Sequence, residues 1–167
     1  MNNLKINIGC GKIIKKDYIN IDVIDFPGID LKCDIRKLPY GKESVDEILA
    51  NDVLEHFGRL EWRSILAYWY SLLKKGGVIS IQTPDIIKLF EMWKTKEIDK
   101  TGPPHTAKLH MDDKLIRRIF GEQDFPEDTH KTGITMELIR LEFNKLNIKI
   151  THESFINGNL RIQGIKL

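Results

Sequence analysis

The sequence predicts an α/β fold: a mostly parallel seven-stranded sheet that ends in an antiparallel hairpin. Three observations carry this prediction. Short apolar runs that read as strands recur through the first half, and a strongly amphipathic helix at 59–75 separates two of them. The last two strand-like runs flank Asn157-Gly158-Asn159, which is hairpin chemistry. The links between the first three strands are also too short for ordinary helical crossovers, so the sheet begins in a reduced form.

The strands follow in order. Leu4-Lys5-Ile6-Asn7-Ile8 alternates apolar and polar and meets Gly9-Cys10-Gly11, a strand ending in a glycine turn. Segments 18–23 and 29–33 are the second and third strands. Segment 45–50 carries Val45, Ile48, Leu49 and Ala50, a near-continuous apolar run typical of a strand buried on both faces. Helix 59–75 shows one stripe of Trp62, Ile65, Leu66, Trp69, Leu72 and Leu73. Lys74 and Lys75 suit the negative end of its dipole, and Gly76 suits its stop. Segment 78–82 is the fifth strand. Thr83-Pro84 reads as an N-cap and first turn of a helix running to about Trp93.

From 94 to 133 the character changes. Thr101-Gly102-Pro103-Pro104 breaks the chain, 112–120 forms a short helix closed by Gly121, and 122–133 is polar. This stretch reads as an insertion, a lid over the sheet, within a single domain spanning 1–167. Thr135 then caps a helix with Met136, Ile139, Phe143 and Leu146 on one face, ending near Asn147. Strands 148–155 and 160–167 complete the sheet.

Composition narrows the function. The chain has 167 residues, 41% hydrophobic, with 26 Lys and Arg against 24 Asp and Glu. That charge balance disfavours a nucleic-acid partner, which calls for a concentrated basic surface. No run approaches the roughly 18 apolar residues that span a bilayer. The N-terminus leads straight into a strand without a signal-peptide pattern, and two cysteines, Cys10 and Cys33, suit a reducing compartment. The expected location is cytoplasmic.

The motifs Asn7-Ile8-Gly9-Cys10-Gly11, Ile21-Asp22, Cys33-Asp34-Ile35-Arg36-Lys37-Leu38-Pro39-Tyr40, Val45-Asp46 through Leu54-Glu55-His56, and Leu73-Lys74-Lys75-Gly76-Gly77 together resemble the class I S-adenosylmethionine (SAM)-dependent methyltransferases. Within them the chain is similar to a compact group of bacterial and archaeal methyltransferases. Each motif alone is weak; five in order, with the terminal hairpin, are specific. The resemblance implies a Rossmann-like sheet and SAM as cofactor. It places Gly9, Cys10 and Gly11 against the amino-acid end of SAM and Asp22 on the ribose hydroxyls. It places Asp34 on the adenine amino group, the backbone near Ile35 on a ring nitrogen, and Asn51 beside the methionine portion. A nicotinamide site fits less well. Its turn needs a third glycine, and here Lys12-Ile13-Ile14 follows Gly11.

Two departures stand out. The usual acidic residue two places before the first glycine is Asn7 here. The links 9–17 and 24–28 fall below the ten to twelve or so residues of an ordinary parallel crossover. The sheet would then need cover, from the insertion or from a second copy in a homodimer.

The acceptor end is less defined. His56 reads either as a histidine bracing the start of a turn or as a residue at the pocket mouth. His130 reads either as a general base for a substrate hydroxyl or amine, or as a loop histidine bonded to Asp124 or Asp128. Lys131 beside it is a substrate-binding candidate. No metal is expected, because the spacing of His105, His110 and His130 matches no common zinc pattern. The expected reaction is methyl transfer from SAM to a small-molecule or glycan acceptor, with a sugar or small-molecule hydroxyl or amine preferred. The alternative is a SAM-binding sensor or scaffold without turnover.

Overall fold

The computed structural model describes residues 3–102 and 104–167, and the backbone alone of Pro104. The Pro103 part of the expected chain break therefore lies outside the described residues. Seven strands form one sheet in the order β3-β2-β1-β4-β5-β7-β6. They are β1 (Lys5–Ile8), β2 (Ile19–Asp22), β3 (Leu31–Lys32), β4 (Val45–Asn51), β5 (Leu73–Pro84), β6 (Ile148–Ile156) and β7 (Asn159–Lys166). The first five run parallel, and β7 pairs antiparallel with both β5 and β6. Strand order reverses between β1 and β4, so the crevice beyond their carboxyl ends is the expected ligand position.

Among the described residues no helix precedes Leu54, as the short links require. The helices are α1 (Glu61–Leu72), α2 (Ile86–Lys94), α3 (Met111–Phe120) and α4 (Met136–Lys145). α1 buries Trp62, Ile65, Leu66, Trp69 and Leu72 against the sheet face formed by Ile6, Ile8, Ile48, Ala50, Ile79 and Ile81. Each such side chain contributes about 1.5–3 kcal/mol when removed from water. α4 adds Met136, Ile139 and Phe143 to the same core.

α1 stops at Leu72, earlier than the lysines and Gly76 suggest. Leu73 is fully buried and extended, pairs with Val45, and starts β5, while Lys74 pairs with Asp46. Sheet pairing outcompetes the last helical turn. The cap of α2 also differs from expectation. β5 runs through Pro84, and the Asp85 carboxylate accepts from the amides of Ile87 and Lys88. Its other oxygen accepts from the Met136 amide at 2.7 Å, so one aspartate starts two helices. Thr83 is buried instead, donating its hydroxyl to Glu55.

The opposite sheet face lacks helices, yet it is not apolar. The strand register brings Lys5, Glu47, Ser80, Gln82, Arg161 and Gln163 onto it. They satisfy each other: Lys5 pairs with Glu47 at 2.8 Å, Gln163 donates to Ser80, and Arg161 donates to Gln82. The exposed apolar area on this face, which was the argument for a second copy, is limited to partly exposed Leu49, Val78 and Ile165 among these polar side chains.

Over β1 and β2 the face is closed by the loop between them. Asn7 and Asn20, both buried, hold it. The Asn7 amide donates to the Ile13 carbonyl and to Asn20 Oδ1, each at 3.0 Å. Asn20 accepts from the Lys15 amide and donates to the carbonyls of Lys15 and Tyr18. A side-chain network replaces the missing first crossover helix.

Beyond β5, α2 and α3 enclose a second apolar cluster of Leu89, Met92, Ile98 and Leu115. The 94–133 stretch is thus more regular than expected, and part of its core comes from α2.

Candidate functional site

A cleft of about 380 Å³ opens at the carboxyl ends of β1, β2 and β4, within the usual range for small-molecule sites. Its floor is the glycine turn. Gly9 has φ +59°, and a Cβ there would meet Val53 Cγ2 at 2.6 Å. Gly11 has φ +51° and faces open space, so only its left-handed backbone requires glycine.

Asp22 ends β2 and is buried in the wall. Its carboxylate accepts from the Gly11 amide at 2.7 Å and the Ile24 amide at 2.9 Å. Each oxygen keeps a second lone pair, the acceptors that a pair of ribose hydroxyls needs. Asp34 and Ile35 line the next part of the wall. The Arg36 guanidinium grips Asp34 at 2.6 Å and holds its carboxyl below the usual range, so it stays ionised. The Ile35 carbonyl accepts from the Trp69 indole at 3.0 Å, and Tyr68 bonds both backbone groups of Leu38. These two side chains of α1 fix the loop that stands where a third crossover helix would be.

Two expected cofactor residues lie elsewhere. Asn51 does not line the cleft; Asp52 and Val53, just after it, do. Side chains alternate along a strand, and Asn51 shares the polar sheet face with Glu47 and Leu49. Cys10 is buried beneath the turn, with its amide bonded to the Ile21 carbonyl. Burial and the nearby Asp22 push its thiol up to about 11.

The far side of the cleft is closed by Phe125, Glu127, Asp128 and Lys131, with His56 and Phe57 below them. Lys131 and His56 thus reach the cleft. His130 does not. It lies behind His56, ring against ring at a 5.0 Å centroid separation, and Nδ1 is 3.2 Å from the Arg118 carbonyl. Asp124 and Asp128 are not its bonding partners in either of the two expected ways; the backbone of α3 is. Burial and His56 push it down to about 4.

Gly121 makes this packing feasible. It has φ +85°, and a Cβ would lie against the Asp128 carbonyl oxygen and 3.1 Å from the His130 nitrogen. The returning chain is fastened to the sheet by the Lys131 amide, which donates to the Glu55 carbonyl at 2.7 Å.

Sequence reasoning gave Glu55 no role of its own; it stands there only within the Leu54-Glu55-His56 motif. It is 2% exposed. One oxygen accepts from Thr83 at 2.8 Å and the other has no hydrogen-bond partner. Burial, with Asp52 nearby, holds its carboxyl well above the ordinary range. The available signal was its place five residues after the predicted strand end at Ala50, next to the apolar pair Val53-Leu54.

Residues 7–81 match the family described as a methyltransferase domain. No curated protein matches the chain. Several solved structures share its fold at low identity. The 1,6-didemethyltoxoflavin-N1-methyltransferase of Burkholderia thailandensis, solved with 1,6-didemethyltoxoflavin and S-adenosylhomocysteine, superposes with a TM-score of 0.63 at 14% identity, over 98% of this chain and 70% of that one. A SAM-dependent methyltransferase of Methanosarcina mazei gives 0.65 at 14% identity, over 100% and 94%. An O-methyltransferase family 2 protein of Planctomyces limnophilus, in complex with apigenin, gives 0.60 at 15% identity, over 98% and 51%.

The match over residues 7–81 is to a methyltransferase domain, and the chain shares the fold of solved SAM-dependent methyltransferases. This chain is a compact form of that fold, with turns and side-chain networks in its first three connections. No helix is long and apolar enough to cross a membrane among the described residues.

Proposed function

We propose that the chain transfers a methyl group from SAM to a small polar acceptor, a hydroxyl or amine of a small molecule or sugar. One observation carries this reading: a single cleft is lined on one side by Gly9, Gly11, Asp22, Asp34 and Ile35, and on the other by His56, Phe125, Asp128 and Lys131. The first group suits a nucleoside and amino-acid cofactor. The second offers cation, anion and aromatic surface to an acceptor.

The residues fit the cofactor. Gly11 leaves open space, Asp22 has spare acceptors, and Asp34 is an ionised acceptor beside the backbone of Ile35. When bound, the cofactor would supply a methyl group activated by its sulfonium, which the acceptor's lone pair takes in line as the carbon–sulfur bond breaks and S-adenosylhomocysteine leaves. The chain's own work is positioning and exclusion of water. Asp22 orients the ribose while pinning the glycine turn. Arg36 keeps the Asp34 carboxylate ionised and turned to the cleft. Segment 94–133 serves as a lid, supported by the place of Phe125 to Lys131 on the cleft wall. His56 and Lys131 hold the acceptor end, and His130 positions His56 from behind.

A sensor or scaffold without turnover was suggested by Asn7 and the missing helices. Asn7 has a different role here. Its amide must donate twice to hold the loop, which a carboxylate cannot do. Small-molecule methyl acceptance is supported by the two solved relatives that hold 1,6-didemethyltoxoflavin and apigenin. The free thiols of Cys10 and Cys33 support a reducing, cytoplasmic setting.

The test is radiolabelled methyl transfer from SAM to a panel of small hydroxyl and amine acceptors, sugars included, beside calorimetry with S-adenosylhomocysteine. Binding together with transfer to at least one acceptor is expected. Binding without transfer across the panel would favour the sensor, and absence of binding would remove the reading.

A further inference from the structure

Glu55, His56 and His130 come together although a whole lid separates them in sequence. One ligand atom from each lies within 4.8 Å of the others. From this geometry we infer a binding site for one first-row divalent cation, zinc foremost, held by a Glu55 oxygen and the Nε2 atoms of His56 and His130.

Three independent features support it. First, both imidazoles are oriented from outside. His56 Nδ1 is 3.3 Å from the Thr129 carbonyl and His130 Nδ1 is 3.2 Å from the Arg118 carbonyl. A carbonyl oxygen only accepts, so each Nδ1 carries the proton and each Nε2 keeps its lone pair. Metal-binding histidines are held in this way, with the second ring nitrogen donating to a backbone carbonyl. Second, Glu55 Oε1 is buried without a hydrogen-bond partner, while Oε2 is held by the Thr83 hydroxyl. A buried orphan oxygen costs about 1–3 kcal/mol, more if charged, and a cation would remove that cost. Third, the cage is tied together by backbone. The Lys131 and Thr132 amides donate to the Glu55 carbonyl, and the His130 amide donates to the Phe120 carbonyl.

Two histidines and one carboxylate form a common three-ligand set for zinc and other first-row ions, with one or more positions open. Bond lengths near 2.0–2.2 Å place ligand atoms about 3.3 Å apart around a tetrahedral ion. The three ligand atoms, now within 4.8 Å of one another, must therefore close by up to about 1.5 Å on binding. The surrounding charges are mixed. Asp52 and Glu55 are acidic, and Arg118 is turned to the hairpin, donating to the Asn157 carbonyl and Asn159 Oδ1. His56 also lines the cleft, so an ion here would sit at its acceptor end, where an open position polarises a hydroxyl.

This inference is independent of the methyltransferase reading, because metal uptake is read without turnover. Tag-free, chelator-stripped protein is titrated with zinc against a chromophoric chelator. One equivalent is expected to bind per chain. Glu55→Gln, His56→Ala and His130→Ala should each weaken zinc by more than the roughly 10–100-fold typical of losing an outer hydrogen-bond partner. His110→Ala, which removes a surface histidine, should leave zinc affinity unchanged. Cobalt loaded into the wild-type chain should show visible ligand-field bands and imidazole coupling by pulsed electron paramagnetic resonance, a readout that needs no variant. Absence of stoichiometric zinc uptake, uptake indifferent to all three variants, or wild-type cobalt without imidazole coupling would each overturn the site.

Discussion

At the scale of single residues, Asp22 has two tasks that a mutation separates. Its carboxylate holds the Gly11 and Ile24 amides and offers its remaining lone pairs to the cleft. Asp22→Ala should cost roughly 1–3 kcal/mol of S-adenosylhomocysteine affinity, measured by calorimetry. Equal binding by the two proteins would remove Asp22 from the site. Gly121 combines a left-handed φ of +85° with a clash awaiting any Cβ. Gly121→Ala should therefore lower stability by about 1–3 kcal/mol, and differential scanning calorimetry would show the fall in Tm. An unchanged Tm would mean that the 121–130 packing is soft. The Cys10 thiol, pushed up to about 11, gives a pH signature. Thiolate is the reactive form, so raising the thiol from 9.0 to about 11 cuts its fraction at pH 8 by about 100-fold. Alkylation of Cys10 in the native chain, followed by peptide mass spectrometry, should be slow at pH 8 and accelerate as pH rises. Rapid modification at pH 8 would contradict the burial.

At the scale of elements, the loop over β1 and β2 shows how a shortened connection is made stable. The resemblance to class I enzymes suggests an acid at position 7, yet Asn7→Asp would place an acceptor against the Ile13 carbonyl and Asn20 Oδ1. The expected result is a loss of about 1–3 kcal/mol in denaturant unfolding, not a gain. Stability at or above wild type would show that the loop does not depend on that donor. The periodic elements were legible in the sequence. The stripe of α1, the four-residue rhythm of α4 and the Asn157-Gly158 turn, both residues with positive φ, all appear where expected. Element ends were less legible. α1 yields its last turn to Leu73 pairing with Val45, and α2 is capped by Asp85 because β7 extends β5 to Pro84. Helix signals are local, whereas strand pairing is a non-local competition that a window of residues does not contain.

At the scale of the whole molecule, the cleft joins the sheet's carboxyl edge to the 94–133 segment, and the proposed lid should respond to the cofactor's half of it. Hydrogen exchange should slow on addition of S-adenosylhomocysteine at the 9–11, 22–24 and 34–36 amides and also across 125–131. Protection confined to the first three segments would detach the lid from the cofactor. The sequence put the glycine turn, Asp22 and Asp34 at or just after strand ends, and Gly9, Gly11, Asp22 and Asp34 all line the cleft. Asn51 was expected at the cleft, yet Asp52 and Val53 line it, since a strand's two faces alternate and only register tells which face is the outside of the sheet. The sequence did not show that polar pairs share the helix-free face, because cross-strand partners such as Ser80 and Gln163 lie far apart in sequence and meet only in the sheet. It could not bring His130 to His56 and Glu55, because that meeting depends on how the lid returns over the turn after β4. The sequence by itself determined the sheet, its hairpin and the strand-end lining of the cleft, where local pattern and position along a strand suffice. Only the tertiary structure decided the far wall of the cleft, the polar sheet face and the Glu55 cluster, because each is made from side chains that folding alone brings together.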